Sequence, residues 1–108
     1  MATDQEHSAH ILIVEDALGI AEALQRALTL FKDGVYLVEI SDSGEAALKR
    51  MMEVSFDLLI TDLRLPGLDG LELLERVRRL GSPARTMLIT AYGSPEIEAQ
   101  TRELANSY

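Results

Sequence analysis

The sequence "DLLITDLRLPGLDG" spans Asp57 to Gly70, and its first half is a short apolar run that ends on a carboxylate, Asp62. Leu58–Thr61 has the length and the aliphatic, β-branched character of a strand that is covered on both faces. The run then breaks at Pro66-Gly67, a pair that is typical of turns. A buried strand that ends on a charged residue raises the question of what Asp62 does there.

Three further apolar runs of strand length flank this stretch. Ile11–Val14 and Met87–Thr90 are nearly continuous in apolar character, which is typical of strands buried between two layers of helices. Val35–Ile40 is more mixed, as an edge strand of a sheet would be. We therefore predict four strands, with the second at an edge of the sheet.

Segments with helical spacing separate the strands. The first helix is predicted from apolar residues at intervals of four, four and three, which place them on one helix face: Ile20, Leu24, Leu28 and Phe31. A fourth helix is predicted to begin with Ser94 as its N-cap and Pro95 as its first residue. Its apolar face is the weakest of the four.

The second and third helices carry capping signals in the sequence. Asp42 and Glu45 have the spacing of an N-cap and the third helical residue, and Asp69 and Glu72 repeat that spacing before the third helix. Gly81 is expected to end the third helix, because glycine readily adopts the left-handed conformation in which many helices terminate.

The order of these elements is a strand followed by a helix, four times over, which favours the α/β class. Strand–helix–strand connections are right-handed, so we predict a doubly wound parallel sheet with helices on both faces. Residues 1–9 are expected to form a polar tail and residues 10–108 a single domain.

Composition limits the classes of function. The chain of 108 residues carries 10 basic and 18 acidic side chains, a net charge of −8, so direct nucleic-acid binding by this domain is disfavoured. It has no cysteine, which excludes disulfides and thiolate metal sites. No apolar run approaches the ~20 residues that span a bilayer, so no membrane partner and a soluble, cytoplasmic protein are expected.

Charged and hydroxylated residues come at the ends of the predicted strands. Glu15-Asp16 ends the first strand, Asp62 the third and Thr90-Ala91 the fourth. Ligands of open parallel sheets bind beyond the carboxyl ends of strands, so three carboxylates would meet there if the first and third strands are neighbours. Oxygen ligands without nitrogen or sulfur favour Mg²⁺. With that charge neutralised, Asp62 is the best candidate for a nucleophile on phosphorus.

Each of these residues also has a purely structural explanation. Asp16 could serve only as the N-cap of the first helix. Asp62 could only end a strand before a turn, and Thr90 could be an ordinary β-branched strand residue. Their joint position at one edge of a sheet favours the functional interpretation.

Together these motifs resemble the receiver domain of two-component response regulators. The resemblance rests on "ILIVEDALGI", "SDSGEAALKRM", "DLLITDLRLPGLDGLELLERVR" and "MLITAYGS", and it covers roughly His10 to Tyr108. It implies a flavodoxin-like receiver fold with the strand order 2-1-3-4-5. We expect the order 2-1-3-4 here, with the fifth βα unit absent.

The resemblance also implies roles for the candidate site residues. Asp62 would accept a phosphoryl group from a sensor histidine kinase. Mg²⁺ would be bound by Asp62, by Asp16 directly, by Glu15 through water and by the backbone carbonyl of Arg64. Thr90 would supply a switch hydroxyl that hydrogen-bonds a phosphoryl oxygen.

Two residues after the fourth strand would flank the site by the same resemblance. Ala91 would leave room for the phosphoryl oxygen. The side chains of Tyr92 and Arg64 would tune the rate at which water hydrolyses the acyl phosphate.

The sequence departs from the family pattern in its lysines. The family carries a lysine at the end of its fifth strand, whereas the lysines here are Lys32 and Lys49, both in predicted helical stretches, so the family lysine is absent. We expect a C-terminally incomplete receiver whose fourth strand forms a sheet edge. A fragment of a longer regulator ranks first, ahead of a homodimer through that edge or the fourth helix and of a shortened docking module.

The function expected is a Mg²⁺-dependent phosphoacceptor switch that controls an output, transcriptional regulation being one candidate, or a partner interaction. Such a protein is not an enzyme beyond self-catalysed phosphoryl transfer and autodephosphorylation. The alternative is a truncated or degenerate receiver that acts as a protein-interaction or dimerisation module without phosphoryl transfer. A phosphohydrolase with an aspartyl nucleophile is disfavoured, because Arg64 stands where such enzymes often carry a second acid.

Overall fold

The structure, a computed structural model, describes residues 9–30 and 36–89 of the chain. Within these ranges it contains four strands and three helices in alternation. The strands are β1 (Ala9–Val14), β2 (Tyr36–Ser41), β3 (Leu58–Asp62) and β4 (Arg85–Ile89), and the helices are α1 (Leu18–Leu30), α2 (Gly44–Glu53) and α3 (Gly70–Arg79). Strand β1 begins at Ala9, one residue before the expected start of the domain.

All pairs in the sheet are parallel, and the order is β2-β1-β3-β4, as predicted. The mixed composition of β2 correctly predicted an edge strand. Val14 pairs with Ser41 on one side and with Thr61 on the other. The carboxyl ends of β2, β1 and β3 therefore lie level at one edge of the sheet.

The sheet is covered on both faces, which confirms the doubly wound architecture. Successive residues of a strand point to opposite faces. Leu12 and Val14 accordingly join a large apolar cluster with α2 and α3, while Ile11 and Ile13 join a second cluster to which α1 contributes Leu24 and Leu28.

The inward face of α1 differs from the prediction at its first residue. Ile20 is 55% exposed, whereas Ala21 is fully buried and Leu24 and Leu28 pack on the sheet. Four residues turn a helix roughly 40° past a full turn, so a row at intervals of four drifts around the helix. The buried stripe therefore runs through Ala21, and Ile20 lies at its solvent side.

Helix α3 begins and ends as predicted. Asp69 accepts a hydrogen bond from the backbone N–H of Glu72, and the Glu72 carboxylate accepts one from the N–H of Asp69, which completes a capping box. Gly81 follows the C-cap residue Leu80 with φ +73°, the left-handed conformation that glycine adopts without strain.

The predicted cap of α2 is wrong. Ser43, not Asp42, is the N-cap: its backbone is extended and its hydroxyl accepts a hydrogen bond from the N–H of Ala46 at 3.1 Å. The helix therefore starts one residue later than predicted, and Glu45 occupies its second position. The Glu45 carboxylate does not cap the helix but accepts a hydrogen bond from the distant N–H of Leu68.

The other end of α2 is tied to β2. Arg50 makes two hydrogen bonds to the carboxylate of Glu39, at 2.6 and 2.8 Å, and a third to Glu53 at 3.2 Å. The adjacent Arg50 guanidinium lowers the pKa of Glu39 below its usual value. This ion pair links the C-terminal half of α2 to the edge strand β2.

Some predictions fall outside the described residues. They concern the tail before Ala9, Phe31, the start of the second strand at Val35, and everything from Thr90 onward, including the predicted fourth helix. Within the described ranges, no helix has the length and apolar character needed to cross a membrane.

The corrected cap of α2 can be tested by a pair of substitutions. Ser43→Ala should lower the free energy of unfolding by about 1 kcal/mol, because the N–H of Ala46 loses its acceptor. Asp42→Ala should change it by less than about 0.5 kcal/mol, as exposed substitutions usually do. Urea denaturation of both variants measures the difference, and a larger loss in Asp42→Ala would restore the original prediction.

Candidate functional site

Three carboxylates lie together at the carboxyl edge of the sheet. Glu15, Asp16 and Asp62 each offer an oxygen, and these oxygens all lie within 4.8 Å of one another. They come from the ends of β1 and β3, which are neighbours in the sheet although not consecutive in sequence. All three were predicted to lie at one edge of the sheet, and the structure brings them into one acidic pocket.

Glu15 is the most buried member of the acidic pocket, at 7% exposure. Its backbone N–H donates to the carbonyl oxygen of Ser41 at 3.0 Å, which extends the pairing of β1 with β2 by one residue. Its carboxylate accepts a hydrogen bond from the N–H of Ala17 at 3.0 Å. Asp16 is exposed, and helix α1 begins two residues later at Leu18.

Asp62 is the last residue of β3 and is half-buried. Its carboxylate accepts a hydrogen bond from the N–H of Arg64 at 3.3 Å. Leu63 directly follows Asp62, and its N–H donates to the carbonyl of Ile89 at 3.2 Å. The end of β3 is therefore also hydrogen-bonded to β4. The Asp62 carboxylate is therefore oriented by the N–H of Arg64 and is still partly exposed to solvent.

Gly70 brings the first turn of α3 against the backbone of Asp62. A Cβ atom at Gly70 would overlap the carbonyl oxygen of Asp62 and lie 2.9 Å from the Cα of Leu63. In addition, the N–H of Gly70 donates to the carbonyl of Leu63 at 2.9 Å. A side chain at this position would have to displace the strand end that carries Asp62.

The residues between Asp62 and α3, 63–69, form a loop that we call the β3–α3 loop. Three of its residues are buried in the larger apolar cluster: Leu63, Leu65 and Leu68. Gly67 has φ +72° and makes the turn that Pro66-Gly67 predicted. The N–H of Leu68 donates to the Glu45 carboxylate at 3.1 Å, so α2 supports this loop.

The acidic pocket is electrostatically unfavourable when no cation balances it. Burial raises the pKa of Glu15 above its usual 4.5, and the negative charge of Asp62 and the contact with Asp16 raise it further, against the stabilising N–H of Ala17. The donor set is entirely oxygen, which suits a hard divalent cation such as Mg²⁺. The residues present therefore fit this metal.

The remaining predicted site residues are placed only in part. Arg64 is exposed and follows Asp62 by two positions, but its role as a carbonyl ligand stays a prediction. Thr90, Ala91 and Tyr92 lie outside the described residues, and their roles stay predictions as well.

Sequence reasoning missed three residues that shape this region. Ser41 holds Glu15 through its carbonyl, Gly70 allows the close approach to Asp62, and Glu45 supports the β3–α3 loop. Gly70 could have been found from the sequence. Glycine disfavours helices, so a glycine directly after the Asp69 N-cap indicates that a neighbouring segment leaves no space for a side chain. The other two act through contacts between distant segments, for which the sequence holds no local signal.

A groove of about 430 Å³ lies beside the β3–α3 loop, between α2 and α3. Leu48, Met52 and Leu68 provide its apolar surface, and its remaining lining residues are Glu45, Lys49, Gly67, Glu72 and Arg76. None of the three acidic-pocket residues lines it. The loop is thus a wall of the groove and also carries the residues that follow Asp62.

The parallel sheet in the order 2-1-3-4, with acidic residues at the ends of β1 and β3, defines a flavodoxin-like fold of the receiver class. Residues 11–107 match the family described as the response regulator receiver domain. The chain belongs to this family.

Individual relatives agree with this assignment. The chain is 39% identical over 93 residues to response regulator receiver protein Anae109_2439 of Anaeromyxobacter sp. (strain Fw109-5), across 85% of this chain and 38% of the relative. It is 44% identical over 85 residues to the uncharacterized transcriptional regulatory protein YkoG of Bacillus subtilis, across 79% of this chain and 36% of the relative. The chain thus spans well under half the length of these curated relatives.

A solved structure agrees with the assignment as well. The response regulator protein TrrA from Thermotoga maritima, in complex with Mg²⁺ and BeF, superposes with a TM-score of 0.82 at 31% identity, covering 93% of this chain and 84% of that one. Receiver domains are phosphoacceptors rather than enzymes of the usual kind. They accept a phosphoryl group from histidine kinases on an aspartate and bind Mg²⁺ at an acidic site.

The charge repulsion in the acidic pocket predicts a stabilising substitution. In metal-free protein, Glu15→Gln should raise the melting temperature at pH 7. Because folding raises the pKa of Glu15, the wild-type protein loses stability as the pH rises from about 4.5 through the folded-state pKa. The advantage of the variant should therefore grow over that interval and vanish in more acidic solution.

The control for this prediction is Glu22→Gln, which removes one charge from an exposed position on α1. It should show no comparable rise with pH. Differential scanning calorimetry from pH 4 to pH 7 measures both variants, and parallel curves for the two would contradict the interpretation.

The close approach at Gly70 predicts a destabilising substitution. Gly70→Ala should lower the free energy of unfolding by about 1–3 kcal/mol, because the new methyl group overlaps backbone atoms rather than a flexible side chain. Gly19→Ala in α1 is the matched control: no atom lies within 4 Å of the added Cβ, so it should stabilise the protein by up to about 1 kcal/mol. Chemical denaturation measures the free energy of unfolding of both variants. Similar changes at the two positions would be inconsistent with the packing described.

Proposed function

We propose that this chain is a phosphoacceptor switch in which Asp62 accepts the phosphoryl group. The observation that carries the proposal is the convergence of Glu15, Asp16 and Asp62 within 4.8 Å at the edge of a receiver fold. Of the three, Asp62 is fixed by the end of a core strand and is still half-exposed to an incoming donor. Glu15 is too buried for that role, and Asp16 is exposed and follows the end of its strand.

In the proposed reaction, a carboxylate oxygen of Asp62 attacks the phosphorus of a phosphohistidine in a sensor histidine kinase. The new P–O bond forms an acyl phosphate as the P–N bond breaks, and the imidazole leaves with the bonding electron pair and takes up a proton. Mg²⁺, when bound, would offset the negative charge of the carboxylates and of the transferred phosphoryl group. The N–H of Arg64, which donates to Asp62, orients the attacking carboxylate.

The proposed Mg²⁺ ligands are Asp16 and Asp62 directly, Glu15 through a water molecule, and the backbone carbonyl of Arg64. Their burial agrees with this division, because the buried Glu15 is held by the N–H of Ala17 while Asp16 is free to approach from solvent. Thr90 as the switch hydroxyl, with Ala91 and Tyr92 beside the site, completes the proposal.

Phosphorylation would shift an equilibrium between an inactive and an active conformation. The output that this shift controls belongs to the whole protein. YkoG, one of the relatives, is named a transcriptional regulatory protein, which makes transcription one candidate output. A homodimer through the edge of β4 or through the predicted fourth helix is a further candidate interaction.

A second candidate function follows from the position of Lys49. In residues 9–30 and 36–89 it is the one lysine, and it lines the groove between α2 and α3 instead of the acidic pocket. A chain whose described residues place no lysine in the acidic pocket could bind Mg²⁺ and a protein partner without accepting a phosphoryl group. This alternative predicts metal binding without a phosphorylated product.

The test is incubation of the chain with Mg²⁺ and a small acyl-phosphate donor, followed by intact-protein mass spectrometry. The wild-type protein should gain the mass of one phosphoryl group, and Asp62→Asn should lose this adduct. Asp42→Asn, an exposed aspartate beyond the end of β2, is the matched control and should retain it. An adduct that persists in Asp62→Asn would remove Asp62 from its proposed role, whereas Mg²⁺ binding without any adduct would favour the second function.

A further inference from the structure

The carboxylate of Glu45 connects α2 to the β3–α3 loop. It accepts the N–H of Leu68 at 3.1 Å, across 23 positions of sequence. Leu68 is 8% exposed, and a buried N–H without a partner is costly. Glu45 therefore provides the hydrogen-bond acceptor that the buried N–H of Leu68 needs and that the apolar neighbours of Leu68 cannot provide.

Two glycines show how closely α2 and the loop approach each other. A Cβ atom at Gly44 would lie 2.5 Å from the carbonyl oxygen of Leu68, so the first turn of α2 rests on the loop backbone. A Cβ atom at Gly67 would lie 2.6 Å from Oε2 of Glu45. The Glu45 side chain thus fills the space beside the turn and leaves little room for another loop conformation.

Helix α2 is itself held against the sheet. The far end of the helix is held to β2 by the paired hydrogen bonds from Arg50 to Glu39, at 2.6 and 2.8 Å. Glu45 projects from the opposite, N-terminal end. Because Ala47 and Met51 of α2 are also buried in the larger apolar cluster, moving the helix to follow a displaced loop would cost packing.

The loop is short and closed at its base, which links Leu68 to the acidic pocket. The N–H of Gly70 donates to the carbonyl of Leu63 at 2.9 Å, and the N–H of Arg64 donates to the Asp62 carboxylate at 3.3 Å. Because these two hydrogen bonds hold the ends of the loop, a change of backbone conformation near Leu68 would be accommodated by the loop residues between Leu63 and Gly70. Arg64, whose carbonyl is a proposed ligand, is one of them.

We infer that Glu45 is a positioning residue for the acidic pocket: by holding the N–H of Leu68 it fixes the β3–α3 loop and so sets the pocket's affinity for Mg²⁺. The inference rests on the proposed function, because it takes that pocket as the metal site. Glu45 itself would contact neither the metal nor the phosphoryl group.

A simpler role for Glu45 must be separated from this one. A negative charge in the first turn of a helix stabilises that helix, whatever its hydrogen bonds. Glu45→Gln removes this charge but keeps an oxygen that can accept the N–H of Leu68. Glu45→Ala removes both. Ser43→Ala weakens the same helix end through its cap but leaves in place the Glu45 carboxylate that accepts the N–H of Leu68.

The experiment measures two properties of the 108-residue chain and of these three variants. The first is hydrogen–deuterium exchange of a peptide that covers residues 63–69, in metal-free protein. The second is the Mg²⁺ dissociation constant from isothermal titration calorimetry. Glu45→Ala should exchange faster in this peptide and bind Mg²⁺ about tenfold more weakly, as is typical when an outer support of a metal site is lost. Glu45→Gln and Ser43→Ala should stay within about twofold of wild type, Ser43→Ala despite its lower melting temperature.

The outcomes separate this inference from the proposed function. If wild type binds Mg²⁺ and Glu45→Ala binds it equally well, the positioning role is overturned while the phosphoacceptor proposal stands. If Glu45→Gln is as weak as Glu45→Ala, the charge and not the hydrogen bond is responsible, and the inference also fails. If wild type itself binds no Mg²⁺, the proposed function fails, and the role of Glu45 fails with it.

Discussion

The parallel pairing of β1 with β3 is the interaction on which the rest of this structure depends. The two strands are separated by a strand and two helices in sequence, yet Val14 pairs with Thr61. This pairing places the three carboxylates in one pocket. Two unit charges about 4 Å apart repel by roughly 1–4 kcal/mol between the limits of water and a protein surface. Burial of each large aliphatic side chain in the two strands contributes about 1.5–3 kcal/mol, and Leu12, Ile13 and Leu59 are fully buried. The core therefore outweighs the repulsion, and the site can hold a charge cluster that would not assemble by itself.

Much of the fold could be predicted because its signals are local. Three of the four strands are nearly continuous apolar runs, and the alternation with helices leaves few arrangements of a parallel sheet. The caps show where local signals stop. Asp69 with Glu72 and Asp42 with Glu45 have identical spacing, but only the first pair forms a capping box. Ser43 stands next to Asp42 and is an equally good N-cap, and Glu45 bonds to a distant loop instead. Spacing alone could not distinguish the two cases, because the difference lies in a tertiary contact.

The candidate site shows the same division. Its acidic residues could be predicted because each comes at the end of an apolar run, where a charge needs an explanation. The atoms that hold these acidic residues in place could not be predicted in the same way. The carbonyl of Ser41 reaches Glu15 only because β2 and β1 end level with each other, and Gly70 faces Asp62 only because α3 starts where the loop closes. The carbonyl of Ser41 leaves no pattern in the sequence, and a glycine at position 70 shows only that space is short, not which strand end lies against it.

The β3–α3 loop has a thermodynamic consequence because it belongs to two concave surfaces at once. Gly67 and Leu68 line the groove between α2 and α3, while the start of the same loop carries the N–H that bonds to Asp62. Any molecule that entered the groove and preferred one shape of the loop would change the free energy of ion binding at the carboxylates. Linkage requires the reverse effect to have the same size. The groove and the carboxylates would then be coupled through this one loop.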